Sequence, residues 1–180
     1  MSTAAEGPDC STGATASVEP AGRDHPREVL RDLVPKGRPR LHWRDESEAL
    51  RRKITAALVG CDVLSMVVVG VELDAGNQER PRRKCMTRLL YELDQMDVSQ
   101  VWLESRTDTL NKKDMWPTEK LRGERLIRPR LRVDIGLPSV EPMLWASDAI
   151  AGAVAAARKG GAEEHRRALG AKVEEIEIAL

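Results

Sequence analysis

Three features of the chain predict an α/β fold with a small, partly parallel sheet of about three strands flanked by helices. Residues 63–73 (Val63-Leu64-Ser65-Met66-Val67-Val68-Val69-Gly70-Val71-Glu72-Leu73) form a near-continuous β-branched run, the pattern of a strand covered on both faces. Directly after it, Cys85, Met86, Leu89, Leu90, Leu93 and Met96 recur at helical spacing over 79–97. Strand-like and helix-like segments then alternate to the end of the chain, as in α/β layers.

The elements follow in order. Residues 1–25 are rich in Ser, Thr, Ala, Gly and Pro, bury too little surface to offset the entropy of ordering, and read as a disordered tail. Residues 26–180 then form a single α/β domain. Val29, Leu30, Leu33 and Val34 mark a short helix that Pro35, Gly37 and Pro39 break. Leu41-His42-Trp43 is a short extended piece. Asp45 or Ser47 can cap the helix that follows to Gly60, with Leu50, Ile54, Ala57 and Leu58 on one face. Pro81 fits the first turn of the 79–97 helix. Val101 to Glu104 reads as a second buried strand with Trp102 in the core, followed by a helix ending near Gly123. Leu131 to Ile135 alternates as a third strand. Residues 143–157 are apolar nearly all round, the signature of a buried helix. Residues 163–170 suit a short polar helix. Val173 to Ile178 fits an edge strand or a helical tail, and its pattern leaves both open.

Composition narrows the function classes. Twenty-nine basic residues balance 29 acidic ones, so no net field draws nucleic acid or membranes and any such contact needs a local patch. No segment reaches the ~20 apolar residues of a membrane span. Cys10, Cys61 and Cys85 are odd in number and widely spaced, which excludes a disulfide framework and a zinc-finger pattern. With no signal-peptide pattern at the N-terminus, free thiols in a reducing cytoplasm are expected. Glycine-rich dinucleotide and phosphate loops and the serine-hydrolase elbow are missing from the sequence. His25, His42 and His165 lack metal-ligand spacing, and His42 beside Trp43 suits a packed or hydrogen-bonded role.

Acidic residues at strand ends and in the apolar helix are the candidates for chemistry. They are Glu72 with Asp74, Glu104 with Asp108, and Asp148, the one ionisable residue within 143–157. Carboxyl ends of neighbouring strands face one crevice, and converging carboxylates there attract Mg²⁺ or Mn²⁺. Each also has a structural reading. Glu72 and Asp74 suit a solvated turn. Glu104 and Asp148 suit ion pairs, Asp148 with an arginine such as Arg106. Asp108 suits a helix cap. Arg80, Lys84 and Arg88 share a helical face with Arg83 beside them, fitting either phosphate contacts or a solvated surface.

Several of these residues are similar to the ribonuclease H-like family known as domain of unknown function 3800, over about residues 27–157. The resemblance rests on Leu41-His42-Trp43 before a helix, the Val67-to-Leu73 strand, the 82–97 helix, the Val101-to-Glu104 strand end, and Ala146-Ser147-Asp148-Ala149-Ile150-Ala151-Gly152. It implies a metal-dependent nuclease with Glu104 and Asp148 as Mg²⁺ or Mn²⁺ ligands. Asp108 and Glu141 would assist, and Arg106, Arg80, Arg83, Lys84 and Arg88 would hold phosphates. The family opens with a strand ending in Asp-Glu-Ser-Gly. Residues 1–26 contain no such strand, and Asp45-Glu46-Ser47 follows Leu41-His42-Trp43 and opens a helix, out of family order. The sheet is therefore expected to be incomplete at its N-terminal side. Two readings result: a divergent ribonuclease H-like protein that binds and cleaves nucleic acid with a divalent metal, or a non-catalytic protein-interaction module forming a homo- or hetero-oligomer.

Overall fold

The computed structural model describes residues 13–18, 24–61, 63–71 and 79–180. The protein is mixed α/β. Strand β2 (Leu64–Val71) lies at the centre, and its β-branched residues alternate between two cores. Val67 and Val69 face one core with helices α1 (His25–Asp32), α2 (Glu48–Gly60) and α5 (Met143–Arg158). Met66 and Val68 face the other, with α3 (Glu79–Gln95), α4 (Asp108–Gly123), β3 (Gln100–Glu104) and β4 (Arg132–Gly136). Burial on both faces is what the sequence pattern predicts for this strand.

β2 centres a three-stranded, partly parallel sheet, but its neighbours are not the strands expected beside it. β2 is flanked by β1 (Gly13–Val18), antiparallel with Gly13 opposite Val69, and by β5 (Val173–Ala179), parallel with Ser65 opposite Val173. β3 and β4 form a separate parallel pair with Gln100 opposite Arg132. Both edges of β2 are thus taken, so β3 has no place beside it.

Residues 13–18 were expected within the disordered tail, and that expectation is corrected for them. Backbone hydrogen bonding to an open strand edge needs no large apolar side chains, so composition did not mark them. The remainder of the tail, at 1–12 and 19–23, lies outside the described residues, as do Cys10, Glu72 and Asp74. The undecided C-terminal segment is the strand β5, followed after α6 (Glu164–Leu169) and a short 3-10 turn. Trp102, expected in the core, is 43% exposed because it occupies the outward position of β3, between buried Val101 and Leu103. No helix among the described residues is long and apolar enough to cross a membrane.

Candidate functional site

The segment between α1 and α2 is held rigidly against α5. A 3-10 turn, Trp43–Asp45, leads to Ser47, whose side chain accepts from the Leu50 N–H and caps α2. Glu46 is buried. It accepts the His42 backbone N–H at 3.1 Å and an Arg38 guanidinium hydrogen at 2.6 Å. Arg51 on α2 donates to the carbonyls of Trp43 and Arg44, both at 3.0 Å, and its guanidinium lies 5.4 Å from the Trp43 ring centre. The Trp43 indole packs on Gly152 of α5, where a Cβ would overlap the indole atoms, and meets His165 edge-on. The Asp45-Glu46-Ser47 triplet therefore serves local structure, through a turn, a buried staple and a cap.

Against this segment lies Asp148, on the second turn of α5. Its Oδ2 accepts the Trp43 N–H at 2.8 Å and contacts His42 Nδ1 at 2.9 Å. An ionised carboxylate only accepts, so Nδ1 carries the hydrogen and Nε2 is the basic nitrogen of the imidazole. Among the described residues Nε2 has no partner. The side chains of His42 and Asp148 are 42% and 33% exposed, so the pair opens to solvent from a fixed base. Glu104, at the carboxyl end of β3, accepts from Arg40 at 3.0 Å. Arg40 and His42 are two residues apart in the segment that precedes the 3-10 turn. Glu104 and Asp148, 44 positions apart in sequence, are thereby drawn to one short segment.

The other expected site residues are placed elsewhere. Asp148 does not pair with Arg106. Arg106 instead donates to Glu79 at 2.9 Å and to the buried carboxylate of Asp114, which also receives Arg82 at 3.1 Å. That hydrogen bond, aided by charge, holds the Glu79 carboxyl below the usual range and raises the Arg106 guanidinium. As a phosphate ligand Arg106 is therefore already engaged, because its two terminal nitrogens face carboxylates. Glu141 accepts from Arg27 at 3.3 Å and from the Met143 N–H at 2.9 Å, tying α1 to the start of α5. Asp108 is the first residue of α4, its acid placed in the first turn as the helix dipole favours. On α3, Arg88 pairs with Glu92 one turn on, Arg80 and Lys84 are exposed, and Arg83 lies over Trp116 of α4.

A metal between Glu104 and Asp148 meets a chemical obstacle. Both carboxylates already neutralise cationic or donor groups, Arg40 for one and His42 with the Trp43 N–H for the other. Among the described residues, the one group of three His, Cys, Asp or Glu with ligand atoms mutually within 4.8 Å is Glu48, Glu164 and His165, which contains neither. That group has a structural explanation. Arg52 bridges Glu48 at 3.2 Å and Glu164 at 3.4 Å, while buried His165 meets Glu48 through Nε2 and Thr55 through Nδ1. These contacts join α2 to α6.

His42 is the residue that sequence reasoning set aside. The signals were its place in Leu41-His42-Trp43 and the lone acid in an apolar helix. Nothing in the sequence joins positions 106 residues apart. No protein-family model, no curated protein and no solved structure matches the chain.

Proposed function

We propose that this protein binds nucleic acid and cleaves its phosphodiester backbone at the His42–Asp148 pair. The observation that carries this reading is the 2.9 Å contact from His42 Nδ1 to Asp148, with the same carboxylate anchored by the Trp43 N–H. An acid that accepts the Nδ1 hydrogen orients the ring, selects the tautomer, and stabilises the imidazolium formed when Nε2 takes a proton. At a phosphodiester, that proton comes from the attacking hydroxyl or water, whose oxygen bonds phosphorus as the P–O bond to the leaving oxygen breaks, and the imidazolium or solvent gives a proton to that leaving oxygen. Arg40, two residues before His42 and ion-paired with Glu104, is the residue of this segment proposed to meet the phosphate's charge. Glu104 restrains Arg40 through its ion pair. The descent implied by the resemblance to ribonuclease H-like proteins supports nucleic acid as the substrate class.

The test is cleavage of labelled RNA and DNA, single- and double-stranded, with Mg²⁺, with Mn²⁺ and with a chelator. Asp148→Asn and His42→Gln are each expected to lower the rate by about 10²–10⁴-fold with little change in Tm. Full activity in either variant removes the pair from the mechanism. Cleavage that stops with the chelator and returns with Mg²⁺ gives Asp148 and Glu104 the ligand role instead.

A second reading, a non-catalytic interaction module, draws on a different surface. Trp102 lies beside Gly136 on the outer side of β3 and β4, and Leu137 and Val140 follow at 57% and 68% exposure. Exposed apolar groups of this size mark interaction sites when they cluster. Light scattering on a size-exclusion column decides it: a dimer that Trp102→Ser converts to monomer favours this reading, and a monomer that binds nucleic acid disfavours it.

A further inference from the structure

Trp116 projects from α4 with 44% of its surface exposed, one of two exposed tryptophans, the other being Trp102, in a chain with four tryptophans and no phenylalanine. Cations surround it. The Arg83 guanidinium of α3 is 5.4 Å from its ring centre, and Lys120 Nζ, one turn along α4, is 5.7 Å away. Lys112 and Lys113 lie one turn earlier on the same helix and are exposed, and Arg80 lies one turn before Arg83. Opposing charge comes from Asp108 and Glu119 on α4 and from its C-cap Glu124, which pairs loosely with Lys120 at 3.8 Å. In a molecule of zero net charge this groups five basic side chains, Arg80, Arg83, Lys112, Lys113 and Lys120, about a half-exposed indole.

We propose that this face of α3 and α4 docks single-stranded nucleic acid, with an unpaired base stacked on Trp116 and its flanking phosphates held by Arg83, Lys112, Lys113 and Lys120. Every base has a π-face, so stacking tolerates sequence, and lysines along a helix follow a phosphate chain. The Arg83 guanidinium lies over the indole, and a base can stack on that guanidinium plane or take its place on the ring. Charge complementarity selects a polyanion, and the half-open indole selects one with aromatic groups over an acidic peptide.

Ion pairs link α3 and α4 to the loop that follows β3. Next to Arg83 in sequence, Arg82 binds Asp114, and Asp114 binds Arg106, two residues beyond Glu104. This inference rests on the reading that the protein acts on nucleic acid, and it adds the strandedness of that substrate.

The test is fluorescence anisotropy with a labelled twelve-nucleotide oligo(dT), on the full chain at low salt. Trp116→Ala is expected to weaken binding by about 5- to 100-fold, the range for one stacked base, and Trp116→Phe to retain most of it. Arg83→Gln with Lys120→Gln is expected to flatten the dependence of affinity on salt. Thermal unfolding confirms that each variant is folded; the glutamine pair stands in should Trp116→Ala fail to fold. Unchanged binding in both the Trp116 and glutamine variants overturns the platform. So does equal competition by polyglutamate, which shows charge alone at work. Asp148-dependent cleavage with Trp116-independent binding sinks the platform and leaves the cleavage site standing. Binding lost in Trp116→Ala without any cleavage does the reverse, and an unsubstituted chain that binds no oligonucleotide sinks both.

Discussion

At Gly152 one missing methyl group sets how closely α5 approaches the segment that bears His42. In a helix interior alanine is favoured over glycine by about 1 kcal/mol. Here the sign reverses, because a Cβ would fall inside the buried Trp43 indole at its Cδ1, Nε1 and Cγ atoms. Gly152→Ala is expected to destabilise the protein by about 1–3 kcal/mol through overpacking. For a chain of this size that lowers Tm by roughly 2–4 °C per kcal/mol. Because the Trp43 N–H and His42 both reach Asp148, the same variant is expected to lose cleavage beyond what its residual folded fraction explains. A Tm equal to that of the unsubstituted chain refutes the contact. The closing Asp148-to-Gly152 pattern was visible in sequence, but the tryptophan it accommodates was not, since 109 positions separate Trp43 from Gly152.

Among the elements, β5 shows how charge takes over where apolar pattern is weak. Its sequence, Val173-Glu174-Glu175-Ile176-Glu177-Ile178, alternates poorly, which is why periodicity alone left strand and helix open. Tertiary ion pairs supply the rest. Arg158 at the end of α5 reaches Glu175 at 2.7 Å and Glu177 at 2.6 Å, and Arg166 of α6 reaches Glu175 at 2.5 Å. Partial burial pushes the Glu175 carboxyl up, but hydrogen bonds from Arg166 and Arg158 outweigh it and hold the group below its ordinary value. Glu79 is held low by its hydrogen bond to Arg106. A depressed carboxylate adds stability above its unfolded pKa and loses it as pH falls through the folded value. Tm is therefore expected to fall as pH drops from about 5 to about 3, starting near the unfolded glutamate value. Glu175→Gln is expected to cost about 1–3 kcal/mol at neutral pH, as for a charged hydrogen bond, and to make that acid decline shallower. An unchanged pH profile in this variant removes Glu175 from the linkage.

For the whole molecule, the arrangement depends on what sits beside β2. Six backbone pairs join it to β1, from Gly13 opposite Val69 to Val18 opposite Leu64. Removing residues 1–18 is expected to cost several kcal/mol, at a net ~0.5–1.5 kcal/mol per backbone hydrogen bond, a large share of a typical ~5–15 kcal/mol stability. It also bares an edge of the central strand, so broadened unfolding and concentration-dependent association are expected in light scattering. A truncated chain as stable and as monodisperse as the whole one shows that β1 contributes nothing.

The sequence by itself determined the α/β class, the central strand, and the positions of α1, α2, α3, α5 and α6 to within a few residues. Those features are encoded locally, in hydrophobic period, caps and breakers read over a dozen neighbours. Only the tertiary structure decided that β3 and β4 pair apart from β2, that Gly13–Val18 is a strand, and that Trp102 faces out. The fold alone paired His42 with Asp148 and Arg40 with Glu104, while committing Arg106 and Glu141 to ion pairs. Those outcomes depend on which edges, charges and cavities remain open once distant segments meet, and no local window of sequence contains that information.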